Sequence, residues 1–551
     1  MPIVPLRDLG KIGVSTDQDP FNLPPTAFTM ACNARFEDNA ISRGPVFRKA
    51  GPLTTNGYPR HVVSYIQGSG YPTVLVANDD GTVLDWSASG LTSSTESSRT
   101  ASGWTASSYS QPYTSTVLNN IVYLNRPDRV PWYMTTGGTQ FTSLSNWDST
   151  WRCNSLRSLS GVLVAINVTK GATNYPTMIK TSDYTTYGSV PGSWVASTTN
   201  SATENVLTDL QEPLIDGWAL KDRMILYSAN ETWLMEPRYD NLMFNYRRIW
   251  RDRGVISQNC VIEHDSIHYV FGTNDIWVHD GFQPQSIAAG ITRDFIYDNM
   301  VKTQANQFFV SHNPRNTEIM FCYLSSDPYC AFPVSATLGY PGCNRAAVYN
   351  YRVKTWYFYD LPYVTATGFG PPVGGLTYTG ASGTTFDSIA GAYSSFSDAT
   401  KLALMTVGPA KTGTYGSLTA AVRSFERVNS VAANGLIDTV ATAPVYIENR
   451  YIDMDAVGAQ LRSYKVVKAI YPEAHFDSGA ASLMFSFGST DYSNRPLPAY
   501  GTAMSFDGGS NYKLDYMQAG RYMSFMVTYD DDSHDFSLTG LDLDFEITGN
   551  R

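Results

Sequence analysis

The chain has 551 residues, more than one ordinary hydrophobic core organises, so two or more domains are expected. Only 16% of residues are charged while 13% are aromatic, which disfavours helices, whose exposed faces need Glu, Lys and Arg, and favours strands and tight turns. The net charge of −10 argues against a sequence-independent nucleic-acid binder, which needs a basic surface to displace counterions; the expected class is all-β.

Residues 1–55 read as an extended segment, because Pro2, Pro5, Pro20, Pro24, Pro25 and Pro45 bar any long helix. To be ordered, the segment must lie on other domains or on neighbouring subunits. It lacks the basic and apolar stretches of a secretory signal. Nowhere does an apolar run approach the ~20 residues that span a bilayer, so the chain is expected to fold in a cytoplasm with no membrane span.

From about residue 60 a repeat sets in. Short apolar runs recur around Val74, Ile121, Leu163, Ile225, Ile267 and Ile319, at intervals of 47, 42, 62, 42 and 52 residues. Most are followed by a second run, usually aromatic-bearing, at Trp86, Trp132, Met178, Trp233 and Trp277. Asp79-Asp80-Gly81 and Thr273-Asn274-Asp275 supply the turns between paired runs. One hairpin per forty to fifty residues is the pattern of a β-propeller, whose small sheets bury both faces against their neighbours. Six or seven blades over 56–440 are expected, with a solenoid or a repeated sandwich as the competing architecture. The stretch AVYNYRVKTWYFYD (347–360) reads as two strands joined by a turn at Asn350–Lys354, and 388–393 with 401–407 as a hairpin closing the ring. Residues 325–345 and 366–386 read as inserted loops, which in compact domains are often functional projections.

Near residue 441 the pattern changes. In 541–547, Leu541, Leu543, Phe545 and Ile547 alternate with Asp542, Asp544 and Glu546, as in a half-buried antiparallel strand. With the runs 464–470 and 483–487 this makes 441–551 a β-sandwich.

Chemistry-bearing motifs are few. His264-Asp265-Ser266-Ile267-His268 differs from the HExxH zinc motif only in its acid, but that motif needs a helix, and these neighbours are β-branched and aromatic. Asp79, Asp80, Asp85, Asp265, Asp275 and Asp280 lie on or beside blade strands, where a glycosidase would need two facing acids; each is more simply a turn former. One partial sialidase Asp-box, Ser505-Phe506-Asp507-Gly508-Gly509 followed by Tyr512, stands alone and outside the repeat. Asp530-Asp531-Asp532 and Asp535 lack the glycine and terminal glutamate of a calcium loop and read as a solvated turn. Of six cysteines none forms a CxxC pair; Cys322, Cys330 and Cys343 are close enough in sequence to cluster, as a metal or disulfide site or as free buried thiols. No catalytic residue, metal or cofactor is expected. One basic stretch does stand out: Arg247, Arg248, Trp250, Arg251 and Arg253, residue types enriched at interface hot spots, read as a subunit contact or as a solvated face paired to nearby acids.

Three segments carry a family resemblance. The segment from Leu23-Pro24-Pro25 through Asn33-Ala34-Arg35-Phe36 to Arg43-Gly44-Pro45 resembles the opening of tail nozzle proteins of short-tailed bacteriophages, with Asn39-Ala40 where a glycine is common there. The phrase VYNYRVKTWYFYDLP and the closing strands from Gly520-Arg521-Tyr522 to Gly549-Asn550-Arg551 are similar to the same family. The resemblance implies a structural, non-enzymatic virion protein of the tail, assembled in the host cytoplasm. It further implies a homo-oligomeric ring, usually a hexamer, beneath the head-to-tail adaptor ring, with tail fibres or tip proteins as further partners. Such a ring retains packaged double-stranded DNA and conducts it at ejection without sequence-specific binding, and the N-terminal segment packs on the C-terminal sandwich as a platform. A receptor- or glycan-binding tail protein and a propeller glycosidase are the alternatives.

Overall fold

The computed structural model describes residues 3–52, 59–66, 72–88, 94–101, 112–135, 137–238, 243–334, 342–370, 403–408, 421–428, 437–453, 463–477, 481–492 and 498–549. Among these, seven four-stranded antiparallel blades follow one another. Blade one runs from Pro59–Ile66 to Ser94–Ser98, blade two from Thr114–Leu118 to Thr142–Ser143, and blade three from Trp151–Leu159 to Thr203–Val206. Blade four runs from Asp216–Leu220 to Phe244–Trp250, blade five from Val261–His264 to Pro284–Ser286, and blade six from Phe309–Asn313 to Thr355–Val364. Blade seven has Ala366–Gly370, Ala403–Gly408 and Ala421–Glu426, and takes its fourth strand, Val46–Pro52, from the N-terminal segment. The fold is an all-β propeller with a β-sandwich attached.

The six apolar runs that mark the repeat all fall on the second strand of a blade. Those strands are buried on both faces, and their alternation shows why. Val74 and Val76 pack toward blade seven in one cluster, whereas Leu75 and Ala77 pack toward blade two in another. Leu163 and Ala165 likewise face blade two, while Val162, Val164 and Ile166 face blade four. Several hairpin turns between first and second strands are two residues long with both φ positive: Asn119-Asn120, Ser160-Gly161 and Asp265-Ser266. Such turns match the twist of the strands they join.

The sandwich grows out of blade six. Its outer strand, Thr355–Val364, pairs in parallel with Met30–Cys32, which pairs with Val445–Ile452 and so passes into Tyr522–Tyr529, Leu483–Thr490 and Met504–Phe506. The second sheet holds Ala34–Glu37, Ala40–Arg43, Phe536–Gly549, Tyr464–Phe476 and Leu514–Gly520, with Ile3–Arg7 alongside Phe536–Gly549. Asp38 and Asn39, at φ 50° and 67°, make the turn between Ala34–Glu37 and Ala40–Arg43.

The structure departs from the sequence reading at three places. Residues 366–370, expected in a loop, form the innermost strand of blade seven. Ala403–Gly408 is flanked there by Ala366–Gly370 and Ala421–Glu426, so it has no free side for 388–393, which lie outside the described residues. The N-terminal segment serves both units rather than the platform alone: a three-stranded last blade would leave the edge of Ala421–Glu426 open, and Val46–Pro52 covers it. In the expected 325–345 loop, Asp327 is buried against Arg345 and Tyr329 meets Arg450, while 335–341 lie outside the described residues.

Candidate functional site

The inner strands of all seven blades line one cavity on the propeller axis, of about 550 Å³. They run in the same direction, so residues at their starts, such as Arg60, Tyr113 and Asn259, share one end, and Val117, Ile262, His312 and Phe369 share the other. Between them lies a belt of hydroxyls bonded across blade seams. His61 Nε2 and Ser115 Oγ are 2.8 Å apart, Thr116 and Ser158 2.7 Å, and Thr367 and Ser311 2.8 Å. Arg157 donates to both oxygens of Asp216 (2.9 and 2.5 Å), to Ser115 O and to Asn259 Oδ1, and its guanidinium lies 4.5 Å over the Trp218 ring. Burial, reinforced by Arg157, pushes His61 down to about 3. Among the described residues the lining contains no aspartate or glutamate.

Arg247, Arg248 and Trp250 lie on the outer strand of blade four, with Arg251 and Arg253 just beyond it. The structure divides them. Arg248 pairs with Glu231 at 3.4 Å and covers Trp233; Arg253 pairs with Asp275 at 3.0 Å; Trp250 packs edge-on against Trp277 and His279. Arg247 is half exposed, 3.8 Å from Glu236, and Arg251 is exposed. The segment is thus half paired face and half free basic surface.

The remaining motifs resolve into structure. His264 pairs with Ile267 and Glu263 with His268 across a two-residue turn, which puts the two histidines on opposite faces of the hairpin. His264 stacks on His312 and Tyr351, whereas His268 is buried against Tyr227. Asp80 holds its own turn through Thr82, Asp85 pairs with Arg99, Asp275 with Arg253, and Asp280 accepts from Phe282 N. Asp507 caps a turn in the sandwich, accepting from the amides of Gly509, Ser510 and Asn511. The acidic turn is less solvated than expected: Asp532 forms an ion pair with Arg43, and Asp535 accepts from Arg43 N at 3.0 Å, tying the turn to the N-terminal segment. All six cysteines are free and buried. The thiols that lie near one another are Cys260, Cys322 and Cys343, and burial holds each above its usual range. Cys330 sits apart beneath Arg345. Among the described residues no group of three or more His, Cys, Asp or Glu side chains could hold a metal ion, and no helix is long and apolar enough to cross a membrane.

Sequence reasoning missed the junction between propeller and sandwich, although it had singled out both halves. Asn33 donates to Asp360 at 2.8 Å and to Pro444 O, while its own carbonyl group on the side chain accepts from Asp360 N. Asp360 also pairs with Arg345, which binds Asp327 on its other side and reaches Cys32 Sγ at 3.3 Å. Beside them Arg35 donates to Glu318 at 3.0 Å, and the hydroxyls of Tyr357 and Tyr359 donate to the same oxygen. Burial works against the charge of Arg345, but Asp360 and its other acidic neighbours outweigh it and hold the guanidinium well above its ordinary value. Burial pushes Asp360 up even so. The Asn-x-Arg-Phe phrase and the Trp-Tyr-Phe-Tyr-Asp phrase are therefore two sides of one buried polar lock. Their shared signal was polar residues inside strands that otherwise read as core.

No family model and no curated protein matches the chain. Among solved structures it is similar to the extracellular domain of a one-component system, BT4673, from B. thetaiotaomicron, at 9% identity and a TM-score of 0.39. That match covers 83% of this chain and 47% of the other, so the chain spans about half its length. It is also similar to the computationally designed protein Ika8 (9% identity, 69% of this chain and 100% of that one, TM-score 0.35) and to U3-55K (8% identity, 70% and 100%, TM-score 0.37).

Proposed function

We propose that this chain is a structural subunit of the tail nozzle of a short-tailed phage, assembling as a ring that retains packaged DNA and conducts it at ejection. The observation that carries the reading is the polar lock: two of the three segments that resemble the nozzle family are buried against each other where propeller meets platform. The axial cavity bears on where DNA would travel. At about 550 Å³ it has the size of a small-molecule pocket. A duplex whose major groove alone admits a helix about 10–12 Å across does not fit through it. In this reading the conduit runs between subunits, past surfaces whose net negative charge discourages DNA from sticking. Arg251 and Arg247, exposed although Arg247 lies beside Glu236, provide basic surface for a neighbouring subunit, whereas Arg248 and Arg253 serve their own blade.

The test is the mass of the purified protein in solution, alone and with its adaptor ring. A ring of several copies, or a monomer that becomes one on adding adaptor, is the expected result. A monomer indifferent to the adaptor refutes the reading. The glycan-binding alternative draws on Tyr184 and Tyr187, 61% and 78% exposed on a blade-three loop that Trp194 anchors in the core. A glycosidase has less support, because the acids it would use are engaged in turns and ion pairs.

A further inference from the structure

The hydroxyl belt on the propeller axis is unusual for a seam that only holds blades together. Away from the axis the same seams are filled by Val, Leu and Ile, and a hydroxyl turned toward a cavity adds no such packing. From its size and lining we infer that the axial cavity is a binding site for an uncharged saccharide of one or two rings, independently of any role in a ring assembly.

Three features point to that chemistry. The cavity volume lies in the range of pockets that enclose small organic ligands. Charge selects against a cation, and Arg157 offers an anion little. The described lining offers no carboxylate for a cation, and the guanidinium of Arg157 is paired with Asp216 and gives four of its five N–H groups to Asp216, Ser115 O and Asn259, so it presents little net charge to an anion. The polar groups that remain are complementary to sugar hydroxyls. In each of the pairs Thr116–Ser158 and Thr367–Ser311 one hydroxyl proton bridges the pair, which leaves the other proton and several lone pairs to offer. Side chains of this kind both donate and accept, as a sugar hydroxyl does. Trp218 and Phe369, both half-buried, supply apolar surface for the C–H face of a pyranose.

The test is saturation-transfer NMR on the full chain with a panel of neutral mono- and disaccharides, alongside glucuronate and inorganic phosphate. The charged probes are needed because Arg60 also lines the cavity. With only seven histidines in the chain, labelling their Cε1 carbons gives a site-resolved second readout. At least one neutral sugar should bind and shift His61 and His312, which line the cavity, while leaving the buried His268 and His279 unmoved. The double variant Thr116→Val/Thr367→Val keeps side-chain shape and removes two hydroxyls; it should weaken binding about ten-fold or more, with the free-state histidine spectrum retained. Silence from every neutral sugar at millimolar concentration overturns the inference. So does tighter binding of glucuronate or phosphate, or binding that shifts neither lining histidine or ignores the double variant.

Discussion

Part of the stability lost on acidification should come from one hydrogen-bonded chain in blades four and five. Gly281 N–H donates to His279 Nδ1 at 3.1 Å, so His279 carries its proton on Nε2 and donates to Tyr227 Oη at 2.7 Å. The Tyr227 hydroxyl in turn donates to His268 Nδ1 at 2.8 Å, and His268 Nε2–H donates to Ala219 O, also at 2.8 Å. Backbone groups at both ends set the direction, and every proton is used with both rings neutral. A further proton on either ring would set donor against donor. Burial accordingly lowers His268 to about 4 and His279 to about 2, the second helped by its neighbour. Unfolded histidine titrates near 6.5. Depressed folded values mean that the stabilisation is complete above about pH 6.5 and is lost as pH falls toward 4 and 2. At pH 5 the unfolded state has gained about 2 kcal/mol per histidine, so the pair should account for roughly 4 kcal/mol of lost stability between pH 7.5 and 5. The assay is urea unfolding followed by tryptophan emission, to which Trp250 and Trp277 report directly because both pack on His279. Tyr227→Phe should lower stability at pH 7.5 by about 2–4 kcal/mol, since two buried polar atoms lose their partner, and should flatten the acid response. Equal acid losses in the two proteins, or a His268 or His279 resonance titrating near 6.5, would refute the reasoning.

Three further outcomes are expected. Arg345→Met leaves Asp327 and Asp360 buried together without a cation and should cost about 3–5 kcal/mol, read as a lowered melting temperature; adding Asp360→Asn should restore part of it. Arg247→Gln/Arg251→Glu should abolish ring assembly by light scattering while leaving the melting temperature unchanged, whereas Arg253→Glu, which sets a carboxylate against Asp275, should lower the melting temperature instead. Deleting residues 1–52 should give insoluble protein, because Ala421–Glu426 becomes an open edge and the sandwich loses four strands; a soluble, monomeric product would show that the propeller closes without the N-terminal strand.

Parts of this architecture are legible in the sequence and parts are not, for physical reasons. The second and third strands of each blade touch neighbouring blades on both faces, so they read as continuous apolar runs. Inner strands face a polar axis on one side, and Thr114–Leu118 or Ala366–Gly370 look like loop for that reason. The fourth strand of blade two is only two residues long and leaves no pattern at all. The last blade was legible only at 401–407, because its fourth strand comes from the far end of the chain, and local periodicity carries no record of a partner so far away. Distance also misled the cysteine reading: Cys330 is near Cys322 in sequence, but it is Cys260, from the start of blade five, that joins Cys322 and Cys343 in space. For the site, the arginine segment was visible as composition, yet which arginines are free depends on Glu231 and Asp275, which only the blade packing brings alongside.

The strand that closes blade seven also orders events in time. Val46 pairs with Glu426, so this strand leaves the ribosome about 380 residues ahead of its partner, roughly 20–80 s at ordinary elongation rates. Met30–Cys32 waits for Thr355–Val364 and Val445–Ile452, and Ile3–Arg7 waits longer still, for Phe536–Gly549. Blades one to six can pair as they emerge, but the ring closes only once Ala421–Glu426 is out and the platform only once Phe536–Gly549 follows, both through contacts of very high sequence separation. Until then the early segment is an unpaired set of strands, and on a polysome crowded with identical chains the nearest open edge belongs to another copy. The same topology that locks the finished molecule makes strand exchange between nascent chains its characteristic folding hazard.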